Sequence, residues 1–365
     1  MKKSLIALSI AAMSTAAFAQ SSVQVYGIMD AAMLYQKGSD GRHVTSVASG
    51  GLSASRIGFK GTEDLGGGNA AVFTIEEGLN IDSNESTFSH RQTFVGLQSK
   101  NYGTVALGRQ NSPGHNISGN FDAVAAGSAF SAGQILSSMS GSTIAVGSNG
   151  RWNNAIGYTS PVMNGFEVAA MYRAGEQIST TATTDSTTLS GYGVSGKYTT
   201  GPLAVGYAFQ RTESSVDGSG AANTGVQNEQ YVGASYDFGA AKVLGSYQTA
   251  KFTANGGGNE GRNNQWTIGT IVPVTGKTAI HANYSALTAK NDVAADGRAT
   301  STTVAAVHSL SKRTALYALA NVTTVGNDMV IANYTGTAAA TQASNVLTSQ
   351  LVNGTTLGVG MRHSF

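Results

Sequence analysis

One pattern recurs sixteen times in this chain: a strand-like run of alternating side chains, then a break. The runs cover 22–36, 52–61, 69–79, 90–98, 103–110, 151–159, 166–175, 189–199, 202–212, 229–238, 241–252, 264–272, 277–288, 301–310, 313–325 and 354–365. One face of each run is apolar and the other is small or polar. Leu203, Val205, Tyr207 and Phe209 oppose Ala204, Gly206, Ala208 and Gln210; Ile280, Ala282 and Tyr284 oppose His281, Asn283 and Ser285. Trp152, Ile156 and Tyr158 likewise oppose Arg151, Asn153, Ala155 and Gly157. A soluble sandwich shows the same alternation in any single strand, so three further features separate the two. The runs are about ten residues long, the length a tilted strand needs to cross a bilayer. Tyr and Phe recur near run ends, where an aromatic girdle lies. The breaks alternate in length: those at 63–68, 99–102, 160–165, 199–201, 239–240, 273–276 and 311–312 are short. Those at 37–50, 80–89, 111–150, 176–188, 213–228, 253–263, 289–300 and 326–353 are longer and rich in Gly, Ser, Thr, Asn and Asp. Together these predict an all-β fold, a 16-stranded antiparallel transmembrane β-barrel.

The two ends agree with that fold. Lys2 and Lys3, the apolar run from Leu5 to Ala12 and the Ala17-Phe18-Ala19 site form a secretory signal peptide over 1–19. The apolar run is too short to span a bilayer as a helix, which needs ~20 residues. The barrel domain is then 20–365. At the other end Leu357, Val359, Met361, His363 and Phe365 share one strand face to the last residue. A strand that runs to an aromatic terminus suits a closed sheet whose last strand pairs with its first. An even strand count puts both termini on the short-turn side.

The composition excludes several chemistries. There is no cysteine, so no disulfide scaffold, thiolate metal site or cysteine nucleophile exists. The 22 Lys+Arg and 20 Asp+Glu become 20 against 20 once Lys2 and Lys3 are removed. Any ion preference must therefore come from where charges sit. Gly276-Lys277-Thr278 echoes a P-loop ending, but Ile271 stands where the loop needs glycine. Ser195 in Gly193-Val-Ser-Gly-Lys197 lacks the last glycine of a nucleophile elbow. The six histidines include no i, i+4 or His-x-His pair. No enzyme activity, cofactor or nucleic-acid partner is expected.

The segment 111–150 is long for a connection, and such segments are usually functional. Phe121, Ala123, Val124, Ala125, Ala126, Phe130, Ile135, Leu136 and Met139 make it too apolar for an open flap. They find partners if the loop folds inward against the barrel wall.

Several segments together resemble the general diffusion porins of Gram-negative outer membranes, in their β-proteobacterial branch. They are Ser22-Val-Gln-Val-Tyr-Gly27 with Asp30, Ser55-Arg-Ile-Gly-Phe-Lys-Gly-Thr-Glu-Asp-Leu65 and Arg91-Gln-Thr-Phe-Val-Gly-Leu97. Further along come Gly103-Thr-Val-Ala-Leu-Gly-Arg-Gln110, Arg151-Trp-Asn-Asn-Ala-Ile-Gly-Tyr158, Leu310-Ser-Lys-Arg-Thr-Ala-Leu-Tyr317 and Gly360-Met-Arg-His-Ser-Phe365. The resemblance implies a trimeric, water-filled barrel of the cell outer membrane, narrowed by an inward third loop that matches 111–150. It also implies an arginine cluster facing that loop, here Arg56, Arg91 and Arg151, and a terminal Phe365 read by the outer-membrane assembly machinery. Alternation places Arg56 and Arg151 on the polar face. Arg91 shares the parity of Thr93, Val95 and Leu97, so there the motif and the period disagree. Arg109, at the root of the loop, is wall or support.

The chain departs from the family pattern in its loop carboxylates. Between 111 and 150 only Asp122 is acidic. Asp30 and Glu76 have lumen parity and are expected to offset the arginines in part. The expected function is passive diffusion of small hydrophilic solutes and ions, with a modest anion preference. Expected partners are a homotrimer, outer-membrane lipid and lipopolysaccharide, and the assembly machinery. Alternatives are a barrel enzyme built on a Ser–His pair, a substrate-specific porin and a secreted β-rich adhesin. A sugar-specific porin needs an aromatic track through the lumen, whereas most Tyr and Phe here have outward parity.

Overall fold

The structure, a computed structural model, describes residues 22–82, 88–124, 130–144, 150–175, 186–217, 225–254, 260–291, 296–326 and 353–365. The predicted signal peptide 1–19 lies outside the described residues. The strands are β1 (Ser22–Gly38), β2 (His43–Ser49), β3 (Arg56–Gly66), β4 (Asn69–Leu79), β5 (Phe88–Ser99), β6 (Gly103–Asn111), β7 (Arg151–Thr159), β8 (Phe166–Arg173) and β9 (Ser186–Thr200). They continue as β10 (Leu203–Asp217), β11 (Gly225–Asp237), β12 (Lys242–Ala254), β13 (Glu260–Pro273), β14 (Thr278–Asn291), β15 (Gly297–Ser309), β16 (Thr314–Val325) and β17 (Gly354–Ser364). Two helices, α1 (Pro113–Ser118) and α2 (Ala132–Met139), lie between β6 and β7.

Each strand pairs antiparallel with its sequence neighbour, and the sheet closes through β1 and β17, from Ile28↔Ser364 to Gly38↔Gly354. At the seam Gly27 and Phe365 exchange backbone hydrogen bonds, each 3.1 Å. The other edge of β1 is shared: its upper part pairs with β2 and its lower part with β3. β2 and β3 thus fill one position between them, and the seventeen strands make a sixteen-position barrel. This corrects the reading of 37–50 as a long loop. His43–Ser49 is strand, reached by a tight turn in which the Asp40 carboxylate accepts from Arg42 N. The break instead falls at 50–55, inside the wall.

Alternation is inverted relative to a soluble protein. Polar residues are buried inside, such as Gln210, Thr212, Glu229, Ser285 and Thr303. Large apolar residues point outward and stay exposed, including Val25, Met33, Leu97, Val232, Ile268 and Val359. Such an apolar band is stable only against lipid or another protein.

Besides a register shift at the β3–β4 turn, between Asp64 and Gly66, two β-bulges near the inward loop interrupt the alternation. Glu76 pairs with Gln92 but Glu77 with His90, so Arg91 is the extra residue in β5. Gly108 pairs with Ala155 but Gln110 with Trp152, so β7 holds an extra residue near Asn154, whose φ is +51°. A bulge reverses side-chain parity on one side of itself. Trp152 is therefore fully buried with Ala155 and Met171, not outward as alternation predicts.

Candidate pore constriction

The connection from β6 to β7 folds inward and lies against the polar inner face. Ser112 caps α1, its side chain accepting from His115 N. α1 packs on β8 to β11, and a 3₁₀ turn (Gly119–Phe121) carries the chain onward. The Phe121 ring lies over Gly206 and Gly233, where an added Cβ would fall 2.7 and 2.4 Å from ring carbons. Only glycine leaves room for the ring at those two wall positions. Ser131 caps α2, whose Ile135, Leu136 and Met139 bury against Leu287 and Ala299. Phe130 packs with Ala32, Leu34, Ala305 and Tyr317. The returning limb is held by the buried Glu229 carboxylate, which accepts from Ser142 Oγ at 2.6 Å and Thr143 N at 3.0 Å. Gln210 Oε1 accepts from Gly114 N at 2.8 Å. Residues 125–129, with Ala125 and Ala126, lie outside the described residues. Among the described residues the loop thus lines the wall from β8 round to β16 and, through Phe130, to β1, and β3 to β7 remain bare.

The bare wall carries the arginines. Arg91 Nε donates to Glu76 Oε1 at 2.6 Å, and Arg56 Nε stands 3.7 Å from Glu76 Oε2. Tyr26 donates its hydroxyl to the same oxygen at 3.1 Å. The bulge at Arg91 turns this side chain inward although Val95 and Leu97 point out. Arg151 lies in the fields of Arg91, Arg109, Arg56 and Glu76. It makes no ion pair among the described residues, and its buried Nε has no hydrogen-bond partner among them. Arg56, Arg91 and Glu76 therefore meet, and Arg151 at the start of β7 stands within their electrostatic reach.

The other expected residues do not join them as free lumenal charges. Asp30 is buried: it accepts from the backbone N–H of Gly51, Leu52 and Ser53 at 2.8–3.0 Å and from Tyr317 Oη at 2.6 Å. It pins the 50–55 break, because three otherwise orphaned N–H groups there need an acceptor. Asp122 accepts from Val124 N at 2.9 Å, from Asn283 Nδ2 at 3.0 Å and from the Ser131 hydroxyl, which ties it to β14. Burial pushes its carboxyl above the ordinary aspartate range against those hydrogen bonds. Arg109 shares the outward parity of Leu107, donates to His90 O at 3.1 Å and bonds Asn153. Nearby, Glu77 and His90 pair at 2.8 Å on that outer side. Phe365 is half-exposed at the seam.

One arginine escaped the sequence reading. Arg362 donates to Ser53 Oγ at 3.2 Å and lies in the field of Arg56. Its signal was its parity with Gly358 and Gly360, together with barrel closure, which sets β17 one strand from β3 across β1.

Comparison with known proteins agrees with the barrel fold. The sequence profile of the Gram-negative porins matches residues 5–328. The chain is 37% identical over 261 residues to outer membrane porin protein 32 of Delftia acidovorans, covering 69% of this chain and 70% of that one. It is 30% identical over 274 residues to an outer membrane porin protein of Bordetella pertussis, covering 68% and 69%. Among solved structures, the anion-selective porin from Comamonas acidovorans superposes with a TM-score of 0.75 at 29% identity, covering 94% of this chain and 100% of that one. OmpT of Vibrio cholerae, in a trimer form, shares the fold at a TM-score of 0.70 and 17% identity, covering 94% and 99%. This chain belongs to the Gram-negative porin family and is a β-barrel of the outer membrane.

Proposed function

We propose that the barrel is a water-filled channel through which small hydrophilic solutes and ions diffuse passively, with a modest preference for anions. No chemical step is part of this reading. The observation that carries it is the charge imbalance of the bare wall. Arg56, Arg91 and Arg151 share one neighbouring carboxylate, Glu76, and the loop's Asp122 is committed to β14. Guanidiniums stay ionised at any working pH. In a narrow waist their field is focused, yet water keeps it small. An ion ~4 Å from one charge gains only about 1 kcal/mol in bulk-like water and about 4 at intermediate dielectric. The anion selectivity stated for the Comamonas porin has the same sign. The test is the reversal potential in a planar bilayer under a salt gradient. An anion-selective potential is expected, and a cation-selective one refutes the account. Saturable, sugar-blocked conductance would favour the substrate-specific alternative.

The functional parts are then a cleaved signal peptide (1–19), a barrel domain (20–365) and a constriction loop (111–150). A homotrimer is the proposed assembly. Glu77, His90 and Arg109 sit on the outer side of the wall, where charge against lipid is costly. A second copy of the chain would cover them. Chemical cross-linking of the folded protein in native membranes should give a three-chain product, and monomer alone argues against it.

A further inference from the structure

One histidine stands inside the barrel within reach of water. His43, His90, His308 and His363 have outward parity, and His115 is buried in α1. His281 has inner parity with Asn283 and Ser285, which the loop buries, yet it stays partly exposed itself. It lies on β14, nine strands on from the β5 of Arg91 in a sixteen-position barrel, and hence across the lumen from the arginine wall.

The imidazole is held where the constriction loop turns. His281 Nδ1 donates to Ala123 O at 2.7 Å. One inner position along the strand, Asn283 Nδ2 donates to Asp122 Oδ1 at 3.0 Å. On β13 a Cβ added at Gly269 would fall 2.7 Å from the Ala123 Cβ, and Ala123 and Val124 are both buried. The turn is seated too tightly to slide, so the imidazole keeps its place on the wall.

That contact leaves one nitrogen to titrate. A carbonyl only accepts, so Nδ1 carries a hydrogen in both charge states and Nε2 is the atom that takes up a proton. Protonation therefore keeps the bond to Ala123 and makes it charge-assisted. The residues paired with His281 are Ile271 on β13 and Ala305 on β15, both uncharged. The charged groups nearby are Asp122 on the loop, bound to Asn283 and Ser131, and Lys277, four residues down β14 on the short turn. Histidine is the side chain whose ordinary titration falls between pH 5 and 8, whereas guanidiniums stay charged throughout.

We propose that His281 is a switchable selectivity residue of the pore, a cation on the loop side that joins the arginine wall in mildly acidic medium and is silent in mildly alkaline medium. The proposal rests on the channel reading and adds a pH dependence to it. A bound proton adds positive charge, so anion preference is greater at low pH and declines as pH rises through the titration.

The test is the reversal potential of the full mature chain in a planar bilayer, under one potassium chloride gradient, at about pH 5.5 and about pH 8, values that bracket the ordinary histidine range. One unscreened charge ~4 Å from an ion in bulk-like water weights its occupancy about fivefold, and salt reduces this. The anion-to-cation permeability ratio should therefore be roughly twofold higher on the acid side. His281→Asn keeps an N–H where Nδ1 stands but takes up no proton, and should abolish the step. His281→Lys, charged at both pH values, should hold the acid-side ratio on the alkaline side. His308→Gln, on the outer face, should leave the step intact. Heat-modifiable migration reports folding, and if His281→Asn does not fold, His281→Lys carries the test. The proposal is overturned if the wild-type ratio is the same at both pH values, or if the step survives His281→Asn. It is also overturned if Asp122→Asn removes the step while His281→Asn does not, which would assign the titration to the loop carboxylate. An anion preference on the alkaline side without a step upholds the channel reading and sinks the role of His281. A cation preference there refutes the arginine wall, and the step still judges His281 separately.

Discussion

Arg91 reaches the Glu76 carboxylate at 2.6 Å only because it is the extra residue of a β-bulge. Without the bulge its parity would send it outward with Val95 and Leu97. Glu76 consequently holds two arginines at once, and its removal should uncover both. Glu76→Gln is expected to move the reversal potential toward stronger anion selectivity. The lost charged hydrogen bond should cost about 1.5–3 kcal/mol of stability. Planar-bilayer recording and denaturant titration read the two effects separately. A shift toward cations would contradict the pairing.

Asp122→Asn should behave differently, although it also deletes a carboxylate. Its oxygens are occupied by Val124 N, Asn283 and Ser131, and burial already favours its neutral form. Selectivity should change little, while stability falls modestly because an amide cannot accept from all three donors. A selectivity change as large as that of Glu76→Gln would mean that Asp122 faces the ion path.

The seat of the constriction loop should be sensitive to one atom group. A Cβ at Gly233 would lie 2.4 Å from the Phe121 ring. Gly233→Val should lift the ring off β11 and widen the pore, raising single-channel conductance. Phe121→Ala should do the same, losing about 3–5 kcal/mol of local packing. Unchanged conductance in both would show that the helices and Glu229 suffice to hold the loop.

Most of the barrel was legible because a period-2 pattern with long strands leaves few other folds. What the pattern could not show was where it slips. A bulge adds one residue without changing composition, so Trp152 read as outward and Arg91 as ambiguous. The bulges sit beside the constriction, where alternation was most wanted. Asp30 misled for a different reason. Parity put it correctly on the inner face, but the partners that bury it, Gly51 to Ser53 and Tyr317, come from a wall break and a distant strand. The apolar content of 111–150 did foretell its inward fold, since Phe121, Phe130 and Leu136 had nowhere else to be buried.

Phe365 distinguishes assembly from stability. Its backbone exchanges two 3.1 Å hydrogen bonds with Gly27, and its ring is 42% exposed. Deleting it should cost a finished barrel about 1 kcal/mol per hydrogen bond and at most about 2 for the half-buried ring. A large effect on folded yield in cells, with little change in the unfolding midpoint of the protein that does fold, would mean that the terminal residue is read during insertion. Normal levels of heat-modifiable protein would count against that role.

Charge reversal on the bare wall tests the selectivity account most directly. Arg151 has no ion-pair partner among the described residues, whereas Arg91 and Arg56 share Glu76. Arg151→Ser should therefore weaken anion preference more than Arg91→Ser does, because Arg91 is already half-compensated. Arg56→Glu/Arg151→Glu should swing the reversal potential to cations, and Lys242→Glu, at the far end of β12, should leave it nearly unchanged. The preference should fade with salt, since the Debye length falls from about 10 Å at 0.1 M to about 3 Å at 1 M. If the double reversal and Lys242→Glu behave alike, the net charge of the barrel governs selectivity and the arginine wall does not.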